Sequence, residues 1–245
     1  MFRPWIRSEN FNDLEPPLRE RRYHAFLGLA KTIAGLASSG AGCRRDRGTY
    51  RGTPQEREFY VRLGLPRIIG QNEEIFAPWS GVIFRSVSPR YARPGDILSG
   101  QGAYQAGGRW NAPGIYAIYG SLEPGLAADE SFNFLLQHFG WQSRDVPPRM
   151  LVGVRASLRA VLDLTSLTDV HLPLDLEKLL SEDWRKINGE HKESRSQALG
   201  RAVTDLAEAI LTPSRIRNGR NLVIYPRSLM SESRIEVLGQ DKLPK

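Results

Sequence analysis

From residue 81 onward, short apolar runs rich in β-branched and aromatic residues alternate with turn residues, a pattern typical of β-strands. The runs lie at residues 81–87 (GVIFRSV), 114–120 (GIYAIYG), 150–156 (MLVGVRA), 160–165 (AVLDLT) and 221–226 (NLVIYP). We predict a strand in each of these runs. Turn residues separate them, so the strands are expected to be short and connected by loops or helices.

The segments between the strands contain apolar residues at spacings of three and four, which indicate helices. The main segments of this kind cover residues 122–139, 174–184 and 196–210. Strands and helices do not alternate one for one, as they would in a parallel βαβ protein. The sequence therefore predicts an α+β fold in which helices flank the β-strands.

The N-terminal part of the chain has a different character. Residues 17–37 begin with two prolines suited to a helix start and continue with helical spacing. Residues 38–55 are rich in Gly, Ser and Arg and resemble a loop or linker, and residues 54–65 are expected to form another short helix. We therefore divide the chain into a largely helical extension, residues 1–78, and a domain, residues 79–245.

The amino-acid composition limits which partners the protein can bind and in which cellular compartment it can function. The net charge of +7 and the pI of about 9.7 suit nucleic acid, a membrane surface or a phosphate-bearing small molecule, and do not choose among them. A single cysteine, Cys43, excludes an intramolecular disulfide and favours a reducing compartment. Neither an apolar signal region nor a run of about 18 apolar residues occurs. We expect a cytoplasmic protein without a membrane partner.

Several familiar catalytic motifs are absent from the sequence. The glycine-rich stretch at 100–108, GQGAYQAGG, has neither the G-x-G-x-x-G spacing nor the G-K-[ST] ending of phosphate-binding loops. The four histidines are scattered and have no cysteine companions, so nothing supports a metal site. No serine lies in a G-x-S-x-G elbow. We therefore expect neither a metal cofactor nor a serine-hydrolase mechanism.

Glu130 lies within the helix predicted over residues 122–139. On a helical wheel with about 100° per residue, Glu130 falls about 160° from an apolar stripe. The stripe consists of Ala128, Phe132, Leu135 and Phe139. A carboxylate in bulk water and a carboxylate lining a cleft beside the core would both give this pattern. The wheel leaves both interpretations open.

Five separated motifs, which occur in a characteristic order along the chain, favour a functional role for Glu130. They are VIFRSV with Arg85, GGRWNAPG with Arg109, IYAIYGS with Tyr119, LAADE with Glu130, and AEAILTPSRIRNGRNLVIYP with Ser214. With VLDLTS at 161–166 and SQALGRA at 196–202 as further landmarks, residues 81–230 resemble the RES-domain family, toxins of bacterial toxin–antitoxin pairs. Residues 1–78 lie outside the likeness, and residues 167–195 match little of it beyond Trp184.

The resemblance implies a fold similar to that of ADP-ribosyltransferases, with a mixed or antiparallel β core. It also implies an enzyme that destroys NAD+ by breaking the bond between nicotinamide and ribose, through phosphorolysis or hydrolysis. NAD+ is then a substrate, inorganic phosphate is a candidate co-substrate, and no metal or other cofactor takes part. The implied protein partner is an Xre-type antitoxin, and contact with nucleic acid would come only through that antitoxin.

The same resemblance assigns roles to the motif residues. Glu130 would stabilise the cationic ribose left when nicotinamide departs. Arg85 and Arg109 would bind the diphosphate through paired hydrogen bonds. Ser214 would add a hydrogen bond to phosphate or ribose, and Tyr119 would stack on nicotinamide. The candidate catalytic residues are Arg85, Tyr119, Glu130 and Ser214, and the candidate substrate-binding residues are Arg85, Arg109, Tyr119 and Ser214.

Two other functions remain open. The same site would suit an enzyme that transfers ADP-ribose to a protein acceptor. A basic module that binds nucleic acid, with arginines on phosphates and aromatic rings on bases, is the second alternative. No recognised nucleic-acid-binding motif occurs in the sequence, which ranks this alternative last.

Overall fold

A computed structural model describes residues 76–140, 142–166 and 175–243 of the chain. The helices predicted over 17–37 and 54–65 lie outside these residues. The first described strand begins at Phe76, ahead of the boundary placed after residue 78. The division of the chain at that boundary stays a prediction.

The described strands form one sheet that closes into a barrel. They are Phe76–Val87 (β1), Ile118–Ser121 (β2), Met150–Asp163 (β3), Ala209–Pro213 (β4), Arg220–Ile224 (β5) and Arg234–Val237 (β6). The strands follow the order β1-β2-β5-β4-β3, and β1 closes the ring by pairing with β3, while β6 extends the sheet beside β3. Among these strands only β3 and β4 pair in parallel. The α+β fold with a mixed, mainly antiparallel core is confirmed.

Helices of very different length flank this barrel. They are Pro94–Ser99 (α1), Gln101–Ala106 (α2), Pro124–Phe139 (α3), Leu176–Ser181 (α4), Trp184–Gly189 (α5) and Arg195–Thr204 (α6). Short 3-10 turns cover Pro89–Tyr91, Ser143–Asp145 and Gln240–Lys242. The long helix α3 packs against β1, β2 and β3, and α6 packs against β4. None of the helices in the described ranges has the length and apolar character needed to cross a membrane.

Apolar side chains from alternate strand positions fill the barrel. Successive residues of a strand point to opposite faces, so one face of each strand can be apolar throughout. Ile83 of β1, Ile118 of β2 and Leu222 of β5 are completely buried in a single core cluster. Burying one such side chain stabilises the fold by about 1.5–3 kcal/mol. Asn221, next to Leu222, and Ser121, three positions after Ile118, therefore project from the outer face of the barrel.

Two of the predicted strands are one continuous strand. The apolar runs at 150–156 and 160–165 both belong to β3, and Ser157 and Arg159 lie between them. These two polar residues are exposed and alternate with the buried Leu158 and Ala160. The apparent interruption is thus the outward-facing half of a regular alternation.

The prediction that a helix covers 196–210 was wrong at its C-terminal end. Helix α6 ends at Thr204, and Ala209 and Ile210 belong to β4. Both residues are fully buried, and β4 pairs with β3 on one side and β5 on the other. Burial between two strands outweighs the local helical spacing.

Other elements also differ from the prediction, beginning with β1, which starts at Phe76 instead of residue 81. The helix predicted over 174–184 ends at Ser181 as α4, and a new helix, α5, begins at Trp184, because the Asp183 side chain accepts a hydrogen bond from the backbone N–H of Lys186. The predicted strand at 114–120 begins only at Ile118. The short elements α1, α2 and β6 were not predicted, since four to six residues give too little periodicity to identify an element.

Helix α6 approaches the loop after α2 very closely at Gly200. A Cβ atom on Gly200 would lie 1.7 Å from the carbonyl oxygen of Trp110 and 2.7 Å from the hydroxyl of Tyr225. The Tyr225 hydroxyl donates a hydrogen bond to that same carbonyl oxygen at 2.7 Å. A side chain at this position would therefore clash with both atoms of the buried hydrogen bond between Tyr225 and Trp110.

We expect Gly200→Ala to lower the free energy of unfolding by about 1–3 kcal/mol, the usual cost of overpacking a buried position. Urea or thermal unfolding measures the change. Gly102→Ala is the matched control, because Gly102 also lies in a helix and a Cβ there meets no atom within 4 Å. Alanine should leave stability at that position unchanged or raise it by up to about 1 kcal/mol. Equal stability of the two variants would contradict the close approach of α6.

Candidate active site

The carboxylate of Glu130 is held by two side chains from distant parts of the chain. Its Oε1 accepts a hydrogen bond from the hydroxyl of Ser214 at 2.6 Å and another from the amide Nδ2 of Asn221 at 2.7 Å. Glu130 is half-buried. No donor among the described residues reaches its Oε2, which leaves that oxygen available to a ligand. The structure thus brings two of the predicted site residues, Glu130 and Ser214, into direct contact.

The helical wheel drawn from the sequence was right for Leu135, which is buried, and wrong for two other members of the apolar stripe. Ala128 is exposed and Phe132 is 37% exposed, so these two members of the predicted stripe do not face the core. Leu126 and Ala127 are buried instead. Glu130 follows them by four and three positions and therefore lies on the same inward side of the helix. Of the two interpretations left open by the sequence, the cleft-lining carboxylate matches this position.

Strand pairing places the two donors next to each other. Asn221 of β5 is directly opposite Ser121 of β2, and the Ser121 hydroxyl donates to Asn221 Oδ1 at 2.7 Å. This bond fixes the orientation of the amide, so that Nδ2 points to Glu130. Ser214 lies just after β4, where its Oγ accepts from the backbone N–H of Ile216 at 3.0 Å. The hydroxyl proton of Ser214 is then directed to the carboxylate.

Arg109 lies in a loop that is fastened from several sides. The backbone N–H of Gly108 donates to the carbonyl of Asn111 at 2.8 Å, and the buried Gln197 donates through Nε2 to the Gly108 carbonyl at 2.9 Å. The Arg109 guanidinium donates to the carbonyls of Leu179 and Glu182 at 3.0 and 2.9 Å. These bonds tie the loop to α4 and to the residues that connect α4 with α5.

Burial and two neighbouring charges set the acidity of Arg109. Desolvation, followed by the positive charges of Arg215 and Arg185, lowers the pKa of Arg109 to about 10, while Tyr119 and Glu182 act in the opposite direction. Arg109 therefore stays protonated at neutral pH. Its charge is less shielded by water than that of a surface arginine, which strengthens its attraction for an anion.

Tyr119 uses its hydroxyl to hold this loop. The hydroxyl accepts from the backbone N–H of Trp110 at 3.0 Å and donates to Oδ1 of Asn111 at 2.7 Å. Burial raises the pKa of Tyr119, so the phenol stays neutral. Gly108 is required here because a Cβ on it would lie 2.4 Å from the Tyr119 oxygen. The hydroxyl is thus occupied within the protein, and the predicted stacking of the ring on nicotinamide stays a prediction.

Arg85 lies on the other side of the sheet from the carboxylate. It is directly opposite Val152 of β3, whose side chain is in the barrel core, whereas its neighbour Phe84 is opposite Ser121. The Arg85 guanidinium donates to the carbonyl of Ile97 in α1. Desolvation, with a smaller effect of Arg149, lowers its pKa to about 10. The structure does not bring Arg85 into contact with Glu130, and its role in binding substrate stays a prediction.

The structure shows four polar residues at the site that were not predicted from the sequence. Ser121 and Asn221 complete the hydrogen-bond network, and Arg185 and Arg215 lie close enough to Arg109 to affect its pKa. Ser121 ends the IYAIYGS motif, and Arg215 and Asn221 lie within the motif that contains Ser214, so membership in these motifs was the available signal. Arg185 lies outside the quoted motifs. Among the described residues, no group of three or more His, Cys, Asp or Glu side chains could hold a metal ion.

The barrel with a carboxylate fixed on its outer face agrees with the class of protein indicated by the sequence motifs. The chain belongs to the RES domain family, whose model matches residues 82–243. It is similar to a chain in the crystal structure of the M. tuberculosis MbcT–MbcA toxin–antitoxin complex, at 23% identity and a TM-score of 0.54, covering 74% of this chain and 89% of that one. At this identity the likeness shows a shared fold. No curated protein matches the sequence.

We expect Tyr119→Phe to lower the free energy of unfolding by about 1–3 kcal/mol, because the N–H of Trp110 and the buried Asn111 both lose a hydrogen-bond partner. Thermal unfolding measures this loss. Tyr91→Phe is the control, since the Tyr91 side chain is 55% exposed and water can replace its partner. If the two variants melt at the same temperature, the Tyr119 hydroxyl does not stabilise the loop.

Proposed function

We propose that this chain is an NAD+-degrading toxin of a toxin–antitoxin pair. The observation that carries the proposal is the Glu130 carboxylate, which Ser214 and Asn221 hold in one orientation with Oε2 left without a protein donor among the described residues. Membership in the RES domain family supports the same conclusion. The fold shared with a chain of a toxin–antitoxin complex adds to this support.

The chemistry that we infer needs a negative charge beside a sugar. Nicotinamide in NAD+ is already cationic, so it leaves with the electron pair of the C–N bond as a neutral molecule and needs no general acid. The ribose left behind has oxocarbenium character, as in glycoside cleavage. A fixed carboxylate stabilises this cation and accepts a hydrogen bond from a ribose hydroxyl. Glu130 performs both tasks through its available oxygen.

In this proposal the neighbouring residues orient the Glu130 carboxylate and the bound NAD+. Ser214 and Asn221 restrict the rotation of the carboxylate, so that little reorganisation is needed when the cation forms. Arg109 binds the diphosphate, because it keeps its charge in a partly desolvated loop. The Tyr119 ring, held by its hydroxyl, forms a wall against which nicotinamide stacks. Arg85 is retained as a further candidate for binding the diphosphate.

An acceptor must then form a new bond to the ribose carbon. Phosphate would give ADP-ribose 1-phosphate, and water would give ADP-ribose. Incubation of the purified chain with NAD+ in phosphate-containing and phosphate-free buffer distinguishes the two by mass spectrometry of the product. Labelled NAD+ in a cell lysate tests the remaining acceptor class, since transfer to a protein would label a protein band.

We expect Glu130→Gln to reduce the rate of nicotinamide release by about 100-fold or more, because the amide cannot neutralise the developing cation. The release of nicotinamide from NAD+ is followed by chromatography. Asp129→Asn is the matched control: it removes a carboxylate from the neighbouring position of the same helix, where Asp129 pairs with Arg217 at 3.1 Å. Nicotinamide release that is equally fast in the Glu130→Gln variant and the wild type would refute the catalytic role.

We also propose a cognate antitoxin of the Xre type, acting on the toxin in the cytoplasm. We expect expression of the chain alone to stop growth, and co-expression of the protein encoded beside it to restore growth and to co-purify with it. Glu130→Gln separates binding from catalysis, because this variant should still co-purify with the antitoxin while being harmless by itself. Growth arrest that persists in the Glu130→Gln strain would count against NAD+ depletion as its cause.

A further inference from the structure

Arginines from three separate parts of the chain lie close enough to one another for their charges to interact. They are Arg109, Arg185 and Arg215, referred to here as the arginine cluster. Arg109 is bonded to the carbonyl of Glu182, three residues before Arg185. Arg215 directly follows Ser214, whose hydroxyl is bonded to Glu130.

Arg185 is positioned by two aromatic rings. Its guanidinium carbon lies 4.4 Å from the centre of the Trp184 ring and 5.4 Å from the centre of the Phe134 ring. Phe134 follows Glu130 by one turn of α3, so this stack lies on the same side of the helix as the carboxylate. Aromatic faces attract a guanidinium and limit its motion without using its N–H donors. Arg185 is thus held on the side of α3 that carries the carboxylate, with donors to spare.

The carboxylates of Asp183 and Glu182 act on Arg185 and Arg109 without forming an ion pair with them. None of the three members of the arginine cluster forms an ion pair within the described part of the chain, whereas Arg155, Arg201 and Arg217 do. The Nε of Arg185 is buried and has no hydrogen-bond partner among the described residues. A buried N–H without a partner is costly, and it is explained when a ligand supplies the acceptor. Three neighbouring cations with free donors form a site for an anion with several oxygens.

We propose that Arg185 binds phosphate oxygens of the substrate, together with Arg109 and Arg215, and that it does so through its Nε and the adjacent guanidinium nitrogen. This proposal rests on the proposed NAD+ chemistry. Two sources offer the same phosphate group: the diphosphate of NAD+ and inorganic phosphate as the acceptor. Arg185 lies in the segment 167–195, which matches little of the RES motif pattern, so it is a substrate-binding residue outside that pattern.

The test compares Arg185→Gln with the wild-type full chain in binding and in turnover. Calorimetry with ADP-ribose measures the affinity for a diphosphate, and calorimetry with inorganic phosphate measures the affinity for the acceptor; neither needs catalysis. We expect about tenfold weaker binding, the scale of one charge-assisted hydrogen bond. Arg155→Gln is the control, because it removes the same charge from an exposed pair with Glu236 of β6.

The pattern of losses identifies the source of the phosphate group. Weaker ADP-ribose binding and a higher KM for NAD+, with kcat little changed, assign Arg185 to the diphosphate. Weaker binding of inorganic phosphate, with loss of the stimulation of NAD+ cleavage by phosphate, assigns it to the acceptor. Arg185→Lys should recover part of the affinity in either case, since it restores the charge but not the paired donors.

If Arg185→Gln fails to fold, a second variant tests the same anion site. Arg215 is exposed, so Arg215→Gln should fold normally and show the same kind of loss. Unchanged affinities for both ligands in the folded variants, or no binding of either ligand by the wild type, would overturn the proposal. Failure of the NAD+-degrading function is seen separately, as intact NAD+ after incubation with the wild-type chain.

Discussion

The hydrogen bonds from Ser214 and Asn221 to Oε1 of Glu130 join helix α3 to the end of strand β4 and to strand β5, across 84 and 91 positions of sequence. A half-buried carboxylate loses part of its hydration, and this loss is unfavourable unless protein donors replace the water. Both donors bind the same oxygen, Oε1, and fix the orientation of the carboxylate. The second oxygen, Oε2, can still accept hydrogen bonds from a ligand. A rigid negative charge beside the outer face of the barrel follows directly from this arrangement.

Barrel closure makes this contact possible. Asn221 is opposite Ser121 on one side and Thr212 on the other, so its position is determined by the register of three strands at once. A slip of one residue in any of these pairings would turn Asn221 into the core and Leu222 outward. The completely buried Leu222 opposes such a slip, because its exposure would cost most of its hydrophobic burial. The apolar interior therefore maintains the polar site on the opposite face.

The loop that carries Arg109 is stabilised by a second set of buried polar contacts. Gln197 accepts from the backbone N–H of Ser194 and thereby completes the capping box that starts α6, while its Nε2 donates to the Gly108 carbonyl. One side chain thus defines a helix start and anchors the loop. Tyr119 secures the same loop from the side of β2. Since the loop is held through its backbone, the Arg109 side chain is free to combine two carbonyl contacts with binding of an anion.

Sequence by itself determined the features that depend on residues close together along the chain. Apolar runs rich in β-branched and aromatic residues located β1, β5 and, as two separate runs, β3, while spacings of three and four located α3. The ordered motifs led to Glu130, Ser214 and the RES family. Local spacing failed for α6, whose predicted C-terminal end belongs to β4, and for the face of α3 that Glu130 occupies. In both cases the partner that buries a residue comes from elsewhere in the chain.

Only the tertiary structure decided which side chains meet. Ser121 and Asn221 lie inside quoted motifs, but the motifs do not show which residue they contact, and Arg185 lies outside them. Arg85 carries a motif but projects from the other face of the sheet. Closure of the barrel brings residues some ninety positions apart within hydrogen-bonding distance, and periodicity contains no information about such contacts. The residue types were thus present in the sequence, whereas the convergence of Ser214 and Asn221 on one carboxylate depends on strand register and packing.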